Sequence, residues 1–411
     1  MVYPRLKTYG LFLVVITTIL YSCNSAKKIV PTNNTVLRIH VPLNKDEHKL
    51  PLSAVADSLH YIPLETRDDA LIGQIDKLIP LNDRMIIVDK EKSQSIYLYD
   101  LQGHLLHKIK RQGRSGKEYI SLTDIAVDPE GKRIFIWDSQ GQKILIYTFD
   151  GTFITTIPFP YSVHSIAYAG DSTIVGYCGY TPNAQFSKHS QYPNLLFWNF
   201  HSGQIHPACY FNEGLTADHV VGVINNFSVD DDGVVALIPM NDTIYQATGN
   251  KATPKYYIYF GDKQHQLLQQ YIDNLNNSID VHRSIEVFDN ASPCLLMNFL
   301  ATRNLIYMFF KKQQNYYYGF YYPKSKRFIE ASTSYEEHLN GNRIPVTNDL
   351  DDITIPFMPI AADEANHFYY TIDPYLFDYF KETKDSTLRQ LMARVSPNDN
   401  PIVVKVDMKA W

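Results

Sequence analysis

The stretch from Arg111 to Tyr119 gathers side chains that can do chemistry: Arg111, Arg114, Lys117, Glu118 and Tyr119, spaced by Gly113 and Gly116. Glycines let a backbone turn tightly, so a short loop of this kind can present several cations together. Arginines suit an anionic ligand, which each guanidinium grips through two parallel hydrogen bonds. These five residues are the candidate ligand-binding set. The plainer alternative is a loop that only carries the chain between two structural units, with Tyr119 as its packing anchor.

Other groupings of reactive residues have local explanations. Asp89 and Asp138 occupy the same place in two similar segments. That fits aspartates that cap turns by accepting backbone N–H groups, whereas a catalytic acid more often stands alone. The clusters Asp230-Asp231-Asp232 and Asp349, Asp351, Asp352 lack the alternating ligands and closing glutamate of a calcium loop. The run Tyr316-Tyr317-Tyr318-Gly319-Phe320-Tyr321-Tyr322 could stack on sugar rings, but a strand sends alternate rings to opposite faces and into packing. The 14 histidines form no HExxH pair, and neither a GxSxG elbow nor a Walker loop is present. No catalytic residue, metal ligand or cofactor is therefore assigned. Cys178, Cys209 and Cys294 show no zinc spacing. In an oxidising compartment Cys178 and Cys209 could pair, leaving Cys294 buried and free.

The elements that must position these residues are strands. The 411-residue chain is 45% hydrophobic and 20% charged, the balance of a folded protein. With 38 basic and 43 acidic residues intermixed, it offers no basic face to nucleic acid. Its 30 Tyr and 21 Phe suit many short pleated strands. Two segments, Met85 to Ile109 and Ile134 to Ile157, align at a spacing of roughly 48 residues, within the range of propeller blades. Each has an apolar strand ending in Asp, a polar turn, a second alternating strand, a glycine turn (Gly103, Gly151) and a third strand. A sheet this small cannot bury both faces alone, so copies must stack.

Fainter copies follow at Ser165 to Asp171, Phe227 to Ile238, Phe299 to Tyr322 and Pro359 to Ile372. The count is six, with five or seven left open by the weak middle units. The predicted fold is all-β: a six-bladed β-propeller of antiparallel four-stranded blades over residues 35–411, with short helical insertions. Helical spacing of apolar residues predicts one helix between Asp262 and Asn276 and another over Ser386 to Val395. The strands His60 to Leu64 and Ile402 to Val406 are the candidates for closing the ring, which would remove exposed sheet edges.

The N-terminus has basic Arg5 and Lys7, an apolar run from Leu11 to Leu20, and then Tyr21-Ser22-Cys23. The run is too short to span a bilayer comfortably. A small residue before a cysteine resembles the lipobox of bacterial lipoproteins. That resemblance implies cleavage after residue 22, lipid on Cys23, and a polar tether over residues 23–34. Asn24-Ser25, with no Asp after Cys23, implies the outer membrane, facing the periplasm. The segment Arg111 to Gly151 resembles an NHL-type repeat through its glycine-rich crossover, IAVD strand (Ile125 to Asp128), IFIWD strand (Ile134 to Asp138) and ILIYTFDG hairpin (Ile144 to Gly151), although Ser121-Leu122 stand where such repeats usually have a proline. The opening Leu52 to Thr66 and the end Asp399 to Val404 resemble a family of six-bladed propeller lipoproteins of Gram-negative gut-type bacteria. The family implies fold and envelope location but no reaction. The leading expectation is a non-enzymatic module, anchored to the membrane, that binds a glycan, peptide or protein. The runner-up is a metal-dependent enzyme resembling six-bladed lactonases or lyases.

Overall fold

A computed structural model describes residues 36–43, 48–212, 215, 222–277, 292–334, 345–351, 353, 357–379 and 383–411. The signal run, Cys23 and the tether lie outside these residues. Six four-stranded antiparallel sheets follow one another around a ring. Blade 1 comprises Lys77–Pro80, Arg84–Asp89, Ser95–Asp100 and Leu105–Ile109. Blade 2 comprises Asp124–Asp128, Arg133–Asp138, Lys143–Thr148 and Phe153–Pro158. Blade 3 runs from Ser165–Tyr168 through Thr173–Tyr177 and Gln191–Asn199 to Ile205–Asn212. Blade 4 holds Phe227–Asp230, Gly233–Leu237, Thr243–Thr248 and Lys251–Tyr259, with Leu37–His40 added in parallel at its outer edge. Blade 5 holds Leu295–Ala301, Ile306–Lys312, Asn315–Tyr322 and Arg327–Ser334, and blade 6 holds Ala361–Ala362, His367–Ile372, Ile402–Met408 and Ala56–Pro63. The chain is thus a six-bladed β-propeller, as its repeats predict.

Each blade is sandwiched between two others, so its middle strands are apolar on both faces. In Arg84–Asp89 every residue after Arg84 is buried. Alternate residues feed different cores. Met85, Ile87, Tyr97 and Tyr99 pack against Tyr369 and Val403 of blade 6. Ile86, Val88, Ile96 and Leu98 pack against Ile134, Ile136, Leu145 and Tyr147 of blade 2. The tyrosine run obeys the same rule: Tyr317 and Tyr321 face blade 4, while Tyr316, Tyr318, Phe320 and Tyr322 face blade 6. These rings are core, and no sugar platform remains. Gly319 interrupts them because a Cβ there would lie 2.6 Å from the Phe328 ring.

Blade 6 closes the ring with both chain ends. Its order from the axis outward is Ala361–Ala362, His367–Ile372, Ile402–Met408 and Ala56–Pro63. His60 stands opposite Lys405, and Tyr61 opposite Val404, so the predicted pair of closing strands is the observed one. Asn400 fastens this junction. Its Oδ1 accepts the N–H of Ile72 at 2.8 Å, and its Nδ2 donates to the carbonyls of Glu65 and Ala70 at 2.9 and 3.0 Å.

The two predicted helices form as Gln264–Asn277 and Ser386–Met392. The first lays Leu268, Tyr271 and Ile272 on the core between blades 3 and 4. The second is capped by Asp385, which accepts the Leu388 N–H at 2.6 Å. The cysteine reading is corrected at Cys178 and Cys209, which are free thiols, while Cys294 is buried and free as expected. Cys178 and Cys209 enter different inter-blade cores, which holds them apart.

Replacing Asn400 with Ala leaves the half-buried Ile72 N–H and the buried Ala70 carbonyl without their side-chain partner. A loss of about 2–4 kcal/mol is expected, read as a lowered urea midpoint with an unchanged m-value.

Candidate functional site

The chain enters each innermost strand from one face of the ring, here called the crossover face; the hairpins after the first and third strands lie on the opposite, turn face. Asp89 and Asp138 organise the crossover face. Asp89 accepts the N–H groups of Lys92 and Ser93 in its own turn, both at 2.9 Å, and those of Gly73 and Gln74 in the incoming crossover, at 2.7 and 3.3 Å. Asp138 does the same for Gly141 in its turn and for Ile120 and Ser121 in the crossover. In blade 3 Asn183 exchanges two hydrogen bonds with Ser162 to the same end. Burial pushes the Asp89 carboxyl up, but the main-chain donors of Ser93, Lys92 and Gly73 outweigh it and hold the group below the usual carboxylate range.

The Arg111 to Tyr119 loop is braced from within. Tyr119 is buried, accepts the Arg111 N–H at 3.1 Å and donates to the Gln94 carbonyl at 2.6 Å. Glu118 accepts the Ser115 N–H at 2.9 Å, and this main-chain donor holds its carboxyl below the usual range. A Cβ on Gly113 would lie 2.2 Å from Glu118 Oε2, so a side chain there would push the Glu118 carboxylate aside. Its outer part sits over the third and fourth strands of blade 2. The Ser115 carbonyl accepts Lys143 Nζ at 3.3 Å, the Gly116 carbonyl accepts the Thr156 hydroxyl at 2.6 Å, and the Lys117 carbonyl accepts the Tyr147 hydroxyl. Arg111, Arg114 and Lys117 are exposed. The structure therefore brings the five residues together, with two as supports and three as surface cations.

At the axis the innermost strands meet through polar side chains. Lys77 of blade 1 donates to both carboxylate oxygens of Asp124 in blade 2, at 2.9 and 3.1 Å, and to the Ile125 carbonyl at 2.8 Å. It also reaches the Ile166 carbonyl of blade 3 at 3.4 Å, while Asp124 accepts the Ile166 N–H at 2.8 Å. Asn225 Nδ2 crosses from blade 4 to the Ile360 carbonyl of blade 6 at 2.9 Å. Asn298 of blade 5 donates to the Pro359 carbonyl at 2.9 Å. Two of these bonds skip a blade, so the chain's own groups cross the axis. No spacing in the sequence announced Lys77 and Asp124, because their meeting depends on the ring.

Two further constellations have catalytic residue types. Ser58 Oγ and His60 Nε2 both converge on Asp407 Oδ2, at 2.6 and 2.7 Å, and that same Nε2 lies 3.2 Å from Ser58 Oγ. A nucleophile–base–acid relay needs the two imidazole nitrogens to serve different partners, and here one nitrogen faces both. His367 extends the group, with Nδ1 2.7 Å from Asp363 Oδ2 and Nε2 3.3 Å from Asp407 Oδ1. Since Ser58 and Asp407 are 349 residues apart, only ring closure joins them.

The acidic triplet Asp230-Asp231-Asp232 could offer three oxygens to one cation. Lys255 already bridges Asp230 and Asp232 at 2.6 and 2.7 Å. The second acidic cluster is divided: Asp349 caps Ser53, Asp351 takes the Tyr61 hydroxyl, and Asp352 lies outside the described residues. Two open clefts of about 320 and 470 Å³ share Pro42 and Phe328, on the outer wall where the first strand passes blades 4 and 5.

Two outcomes follow from these partners. Lys77→Met strands a buried carboxylate and should cost about 3–5 kcal/mol, much of it recovered by adding Asp124→Leu; a double-mutant cycle in urea reads both. Because the Asp89 pKa is depressed on folding, its contribution is present above the unfolded value and is lost as pH falls through the folded one. Stability titrations on the acid side should therefore show a shallower decline for Asp89→Asn than for the wild type.

A family model described as "Domain of unknown function (DUF4934)" matches residues 35–407. Among solved structures, the chain is similar to a protein of Bacteroides fragilis NCTC 9343 inferred to be exported. The TM-score is 0.66 at 18% identity, over 91% of this chain and 99% of that one. It also matches a DUF4221 family member from Bacteroides vulgatus ATCC 8482, with a TM-score of 0.48 at 11% identity over 89% of this chain and 99% of that one. No curated protein matches. Among the described residues no helix is long and apolar enough to cross a membrane. With nearly all of its propeller inside the matched span, the chain belongs to the DUF4934 family.

Proposed function

We propose that this protein is an extracytoplasmic, lipid-anchored propeller that acts as a non-enzymatic binding or interaction module. The observation that carries the reading is that groups suited to chemistry are engaged by internal partners. Asp124 is held by Lys77, the Asp230 triplet by Lys255, and Ser58 and His60 by Asp407. A closed ring with exposed crossover loops remains, and such scaffolds serve recognition. The export inferred for the B. fragilis relative supports a location outside the cytoplasm, and the Ser22-Cys23 pair supports lipidation at Cys23. The outer membrane, facing the periplasm, is the compartment this reading prefers. Arg111, Arg114 and Lys117 form the cationic part of the ligand surface, shaped by Glu118 and Tyr119, and a glycan, peptide or protein with anionic groups is the matching partner.

Radiolabelled palmitate should enter the wild-type protein and not Cys23→Ala, which should also leave the membrane fraction; labelling of the variant would overturn the anchor. The competing enzyme reading, a lactonase or lyase with an axial divalent metal, predicts a melting temperature that a chelator lowers and calcium restores. The binding-module reading expects identical melts and no lactone hydrolysis in a pH-stat assay.

A further inference from the structure

The turn face carries a surface group that the reading above leaves unused. Trp411 is 48% exposed, whereas Trp137 and Trp198 are buried. The Arg327 guanidinium lies 4.8 Å from its ring and the Lys409 ammonium 5.8 Å. Lys324 and Lys326 stand exposed in the hairpin turn that leads into Arg327. Among the described residues, the carboxylates in electrostatic reach are Asp57, beside the Tyr322 ring on which Trp411 packs, and Asp349, beside Lys409. Four cations thus meet two carboxylates around one exposed indole. An amphipathic ring fringed by Lys and Arg is what a membrane–water interface with anionic lipid attracts.

The first described strand also passes close to this patch. Leu37–His40 runs parallel to Lys251–Tyr259, from the turn face towards the crossover face. Pro42, just past this strand, lines a cleft with Arg327 and Phe328, so the strand runs past the Arg327 hairpin. From position 23 to position 36 the chain can span at most roughly 45 Å. A lipid on Cys23 would therefore keep the patch within reach of the bilayer.

We propose that Trp411, Lys324, Lys326 and Arg327 dock the propeller on an anionic phospholipid surface, turning the turn face to the membrane and the crossover face away. This rests on the lipid-anchored reading, and the test separates the two. Full-length protein is reconstituted into phosphatidylglycerol-containing vesicles with brominated acyl chains, which quench indoles at the interface. Trp411 fluorescence should be quenched, and the quenching should vanish in Trp411→Phe. In Lys324→Glu/Lys326→Glu it should weaken at least roughly fivefold, the effect of about one lysine near an anionic leaflet. Quenching that is absent in the wild type, or unchanged in these variants, overturns the docked face. Palmitate labelling reports the anchor independently, so a labelled protein without quenching refutes docking alone, and an unlabelled protein with quenching refutes the anchor alone.

Discussion

The whole molecule depends on burial of both broad faces of every blade. A four-stranded sheet exposes more apolar surface than it can cover by itself, and here each middle strand sends successive residues into two different cores. Met85 and Ile87 go to one neighbour, Ile86 and Val88 to the other. Because every blade needs a partner on each side, the arrangement is satisfied only by a closed ring. Stability is therefore shared around the circle, and a defect at any junction exposes two faces at once.

Closure is the point where that demand is hardest to meet, since one blade must be assembled from both chain ends. The backbone ladder between Ala56–Pro63 and Ile402–Met408 supplies register. Polar side chains then lock it: Asn400 at one end, and Ser58 and His60 on Asp407 at the other. The axis repeats this logic. Lys77, Asp124, Asn225 and Asn298 satisfy backbone groups of the innermost strands and the segments that lead into them. Residue types that look catalytic in isolation are here the fasteners of the ring.

That distinction explains how far the candidate site could be read beforehand. The crossover Arg111 to Tyr119 was visible because its glycines and charges are contiguous, and its turn-capping neighbours Asp89 and Asp138 because they repeat. The second task of those aspartates, holding the incoming crossover, was not visible. It depends on where the preceding strand delivers the chain. The closing cluster around Asp407 and the basic fringe of Trp411 carried no local signal either, because each joins residues far apart in the sequence.

By itself the sequence determined what acts over a few residues: strands from alternation, turns from Asp and Gly, helix positions from apolar spacing, and a repeat that implied stacked blades. Tertiary structure decided which distant groups meet and which are spent. Side-chain alternation and turn chemistry act over a few residues. The pairing of Lys77 with Asp124, or of Ser58 with Asp407, exists only at the radius and register that ring closure imposes. The free thiols show the same division, since Cys178 and Cys209 look available for pairing until the pleat sends them to separate cores.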